Sequence, residues 1–109
     1  MNLVMNYAEL GSVSSGALRT DDLIDAFTSE LEFQLDRNEA AWNGKAGRAK
    51  RNALVQLIWD AREANFANGP WDYTYVNELI DALDEFAGPN CYFGAHVGDG
   101  ADFGFWSLQ

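Results

Sequence analysis

Cysteine and histidine occur once each in this chain, and its 7 Lys and Arg are outnumbered by 17 Asp and Glu. Each scarcity excludes something. A lone thiol, Cys91, cannot close an internal disulfide, and with neither a cysteine pair nor a second histidine a zinc site lacks its ligand set. No stretch approaches the ~18 apolar residues of a membrane span, so no membrane partner is expected. The opening decapeptide MNLVMNYAEL has no Lys or Arg and no long apolar run. A secretory signal is not expected there, and a cytoplasmic location with a reduced thiol follows. A formal charge of -10 repels nucleic acid and anionic lipid and attracts basic partners, so direct nucleic-acid binding is not expected.

What is present is enough apolar material for a core: 48% hydrophobic and 14% aromatic residues over 109 positions. That composition argues for one folded domain, 1–109. Alternation over residues 2–8 suggests a short N-terminal strand, and GSVSSG (11–16) has the composition of a loop. Thr20 is placed as an N-cap, with Asp21 and Asp22 in the first turn. Leu23, Ile24, Phe27, Leu31, Leu35 and Trp42 then recur at helical spacing, predicting a first helix over about 21–42 that stops at Asn43-Gly44.

A second helix over about 46–67 is apolar on two adjoining faces, Leu54, Leu57, Ile58 and Ala61 on one and Val55, Trp59 and Phe66 on the next. So wide an apolar arc predicts the central helix. A third starts after NGPWD (68–72), with Asp72 as N-cap and Trp71 stapling onto Val76. It buries Val76, Leu79, Ile80, Leu83 and Phe86 and ends at Gly88-Pro89. The expected fold is α+β: three helices on a small antiparallel sheet made of a C-terminal hairpin and the N-terminal strand.

Residues 91–106, CYFGAHVGDGADFGFW, hold the one concentration of chemical groups: Cys91, His96, Asp99 and Asp102. Asp99-Gly100 at the centre of a type I′ turn predicts a hairpin pairing Phe93 with Trp106 and Gly94 with Phe105. Cys91, Phe93, Ala95, Val97, Trp106 and Leu108 then face the core, and Tyr92, His96, Phe103 and Phe105 the other side. Gly94 would lie under Phe105, and Gly104 would leave room beside Ala95 and Trp106. His96 and Asp102 point to opposite faces, the oxygen spacing of an EF-hand is missing, and Cys91 is turned from His96. Catalysis, a metal and a cofactor are therefore not expected.

The more informative signal is charge placement. Asp22, Asp25, Ser29, Glu32 and Asp36 share the first helix's face opposite its apolar stripe, and Glu78, Asp81 and Glu85 do the same on the third. The Glu-to-Lys pairs that usually lace a solvent face are nearly missing. The bases cluster instead in GKAGRAKR (44–51). Four charges over ~21 Å of helix give one per ~5 Å, against one per ~3.4 Å along a strand of B-DNA. Phe33, beside the acidic face, is a candidate interface anchor. An ordinary solvated surface would account for the same charges, with the bases neutralising neighbouring carboxylates.

With its acid-rich segments TDDLIDAFTSELEFQLD and NELIDALDEF, its size and its lack of a catalytic motif, the chain resembles the small acidic inhibitors that phages and plasmids carry against host defences, the anti-CRISPR and anti-restriction proteins. Those proteins share no motif, so the resemblance is one of type. It implies a non-enzymatic inhibitor that binds a basic nucleic-acid-binding protein of the host and blocks its DNA access. The partner-binding residues would be Asp22, Asp25, Glu32, Phe33, Asp36, Glu78, Asp81 and Glu85. The alternative is a protein–protein adaptor or homodimeric regulator that uses the aromatic face of the hairpin. The basic run 45–51 departs from a uniformly acidic mimic.

Overall fold

Leu23, Ile24, Phe27, Leu31 and Leu35 line the buried side of helix α1, Thr20–Arg37, in the computed structural model. The described residues are 6–16, 19–68 and 73–108. Thr20 is itself the first helical residue, and Arg19 holds the cap position without a side-chain bond. Asp21 takes over part of the capping role, since its Oδ1 accepts the Asp22 N–H at 3.0 Å.

α1 stops at Arg37, five residues short of the expected end, and Glu39–Trp42 forms a 3-10 turn. The orphan carbonyls of the last turn explain the stop. Asn38 Nδ2 donates to the Gln34 carbonyl at 2.8 Å, and the Trp42 indole donates to that of Leu35 at 2.9 Å. Asn6 Nδ2 donates to the Arg37 carbonyl at 3.2 Å, and the Asn6 N–H donates to Asn38 Oδ1. Trp42 is still buried, as its periodicity predicts, but by folding back over the end of α1.

Helix α2 spans Gly44–Asn68 and helix α3 spans Val76–Asp84. The expected cap at Asp72 and staple at Trp71 lie outside the described residues. On α3, Val76, Leu79 and Leu83 are fully buried, with Phe86 just beyond the helix. The centre of the molecule is α1, not α2: α1 packs against α2, α3 and the sheet, whereas α2 packs on α1 and the 3-10 turn. Only Leu54, Ile58 and Ala61 of α2 are buried among its large apolar positions. The wide apolar arc therefore does not mark the central helix.

Three strands form an antiparallel sheet in the order β1-β3-β2: β1 Gly11–Ser15, β2 Cys91–His96 and β3 Asp99–Ser107. The N-terminal strand thus falls on the segment expected to be a loop. Residues 6–8 are outside any strand, and 2–5 lie outside the described residues. β3 has a free edge, and ladder bonding there outweighs the poor strand propensity of GSVSS. A bulge at Val13 lets β1 follow that edge.

The hairpin turns at Val97-Gly98, not at Asp99-Gly100, and the pairing is offset by one residue from expectation. Phe93 faces Phe105, Gly94 faces Gly104 and Tyr92 faces Trp106. A one-residue slip moves every β3 side chain to the opposite face. Phe103 and Phe105 thereby enter the core with Phe93 and Phe27, with ring centroids 4.8 to 5.4 Å apart in edge contacts. Trp106 turns to the other face, beside Tyr92 and His96. Burying a phenylalanine stabilises by about 2–3 kcal/mol, more than a turn preference can offset. The mismatch is absorbed by an irregularity between Ala95 and His96, where Asp99 Oδ1 accepts the Ala101 N–H at 3.0 Å.

Candidate functional site

In the hairpin, each chemical side chain has a local structural partner. Nδ1 of His96 accepts the Gly98 N–H at 2.9 Å, and its ring stands edge-on to Trp106 at 4.8 Å. Asp102 Oδ1 accepts the Ser12 hydroxyl at 2.6 Å, tying β3 to β1. Cys91 is half-buried, not enclosed in the core, with its thiol 3.5 Å from the Pro89 carbonyl. Among the described residues, no three His, Cys, Asp or Glu side chains gather as a metal cluster would. The expected aromatic outer face is also reduced, because Phe103 and Phe105 are buried and only Tyr92, His96 and Trp106 remain on it. Gly94 is covered by the Tyr92 ring, not by Phe105. Gly104 leaves room for the β1 backbone, not for Trp106.

The acidic residues behave differently. Asp22, Asp25, Glu32 and Asp36 on α1, and Glu78, Asp81 and Glu85 at α3 and its C-cap, are all exposed. Helix periodicity puts them there, since each lies opposite the stripe that the core captures. Two of the seven carry a cation. Glu32 receives a bidentate pair from Arg62 of α2 at 2.7 and 3.0 Å, and Glu85 meets Lys50 at 2.7 Å. Hydrogen bonding from Arg62 holds the Glu32 carboxyl below its ordinary range and raises the guanidinium in return. Asp21, paired with Arg19 at 2.8 Å, is held low by the same kind of bond. Asp22, Asp25, Asp36, Glu78 and Asp81 have no ion-pair partner among the described residues.

Arg62 also donates to the Thr28 hydroxyl at 3.3 Å, and that hydroxyl donates to the Ile24 carbonyl at 2.7 Å. The α1–α2 seam thus contains a small polar network ending on Glu32. Phe33 is 57% exposed, with the Arg37 guanidinium 5.7 Å from its ring centroid. It borders a cleft between α1 and β1 that Glu30, Gln34 and Arg37 also line, so it stands apart from the acids nearest α2.

Sequence reasoning missed the largest exposed aromatics on the helices. Trp59 is 67% and Phe66 95% exposed, both on α2. The signal was present: Val55, Trp59 and Phe66 each follow a residue of α2's inner side, Leu54, Ile58 and Asn65, about 100° further round the helix. A shallow cavity beside Trp59 is lined by Glu32, Asp36, Arg51 and Val55. No family model, no curated protein and no solved structure matches this chain.

Proposed function

We propose that the chain is a non-catalytic acidic inhibitor that binds a basic nucleic-acid-binding protein and blocks its access to DNA. The observation that carries this reading is the group of exposed, unpaired carboxylates on α1 and α3: Asp22, Asp25, Asp36, Glu78 and Asp81. With Glu32 neutralised by Arg62, α1 offers three free charges over ~21 Å, one per ~7 Å. That is about half the density of one B-DNA strand. Recognition of a Lys/Arg-lined patch fits this spacing better than phosphate-by-phosphate mimicry. Association would be fast and salt-sensitive.

The test is affinity capture from a nuclease-treated bacterial lysate, comparing the native chain with Asp22→Lys/Asp25→Lys/Asp36→Lys. None of the three positions hydrogen-bonds Arg62, although Asp25 adds to the field that favours its charge. Retrieval of a DNA-binding protein by the native chain alone, with its DNA binding inhibited by the purified chain, is the expected result. Equal retrieval by both baits would rule out the α1 stripe.

A further inference from the structure

We propose that the outward face of α2 is a self-association surface, on which a second copy of this chain docks its own α2 antiparallel. The proposal does not depend on the inhibitor reading, although Trp59 shares a shallow cavity with Asp36 of the α1 stripe. Asn52, Val55, Trp59, Arg62 and Phe66 follow one another at alternating three- and four-residue steps, the spacing of a two-helix seam. Arg62 leans back to Glu32 and Thr28, which leaves Val55, Trp59 and Phe66 as the apolar content of that face. The molecule measures 38 × 37 × 18 Å, thick enough for a sheet and one layer of helices and no more. Nothing among the described residues covers Trp59 or Phe66.

Charge selects the occupant. α2 carries five bases, Lys45, Arg48, Lys50, Arg51 and Arg62, against two acids, Asp60 and Glu63, in a chain of net charge -10. Two copies of α2 repel on net charge alone, so the distribution of charge along the helix decides. The charge is polar along the helix: four of the bases lie in its first eight residues, and both acids lie in its C-terminal half. Parallel pairing would superpose like charges, whereas antiparallel pairing superposes opposite ones. A register that sets Val55 of each copy against Trp59 of the other also sets Arg48 against Phe66, with Glu63 one turn away. Arg48 can then stack on the ring and pair with the carboxylate. The seam from Arg48 to Phe66 runs ~27 Å, a small interface that suits a weak, reversible dimer.

Sedimentation velocity over about 1 µM to about 1 mM spans the affinities of interfaces this small. The full chain is expected to pass from monomer to dimer in that range. Trp59→Ala and Phe66→Ala, both at exposed positions, should each weaken association at least about tenfold. Arg48→Glu and Glu63→Arg should each weaken it alone, while an equimolar mixture of the two variants should recover it, because each cross pair is then opposite in sign. A chain that stays monomeric throughout overturns the proposal, as it would if the face served another protein or a nucleic acid instead. A dimer indifferent to Trp59→Ala, or single charge variants that fail to rescue one another, overturns it equally.

Discussion

Gly104 has no Cβ because the neighbouring strand leaves no room for one. A methyl group there would sit 2.2 Å from the Gly11 carbonyl oxygen and 2.8 Å from the Ser12 Cα, both backbone atoms that cannot swing aside. Gly104→Ala is therefore expected to cost about 3 kcal/mol, read by urea denaturation. A change below 0.5 kcal/mol, on the order of a surface substitution, would contradict the β1–β3 contact. Glu32 offers a second test at this scale. Its carboxyl titrates below the ordinary 4.5 when folded, so the Arg62 pair contributes fully above that value and fades as pH falls through the folded one. Glu32→Gln should lower stability at neutral pH by about 0.5–1 kcal/mol for a half-exposed pair. It should also flatten the acid limb of the stability curve, and an unchanged limb would show that the pair does not form. The sequence marks Gly104 as unusual, but not why, because the reason lies in β1, at the far end of the chain.

At the level of elements, α2 bears two stripes that composition alone cannot rank. Ile58 is buried and Trp59, the next residue, is exposed. Ile58→Ala is expected to cost about 2–4 kcal/mol and Trp59→Ala within about 0.5 kcal/mol, measured by thermal unfolding at low micromolar concentration. Reversed magnitudes would mean that the helix is rotated by one residue. The hairpin raises the same issue of rotation. Its existence is legible from CYFGAH and ADFGFW, but its register follows the core, where Phe27 meets Phe93 and Phe103, and Phe93 meets Phe105.

For the whole molecule, 17 acids against 7 bases on a slab 18 Å thick imply self-repulsion that ion pairs relieve at only a few points. Raising ionic strength from ~20 to ~200 mM shortens the screening length from ~20 to ~7 Å. The melting temperature is expected to rise by a few degrees as a result. A fall would show that Glu32–Arg62, Glu85–Lys50 and Arg19–Asp21 outweigh the general repulsion.

The sequence by itself determined the three helices, the faces that α1 and α3 bury, the C-terminal hairpin and the exposure of the acidic stripes, since all of these depend on local spacing. It also located the basic run, but not its targets: Lys50 reaches Glu85, and Arg62, further along α2, reaches Glu32. Tertiary structure decided the position of β1, the hairpin register, the end of α1 and the outward turn of Trp59 and Phe66. Each depends on what lies across a gap from the residue concerned. A free strand edge, a waiting phenylalanine cluster, Asn6 at the end of α1 and an empty flank beside α2 have no expression in local periodicity.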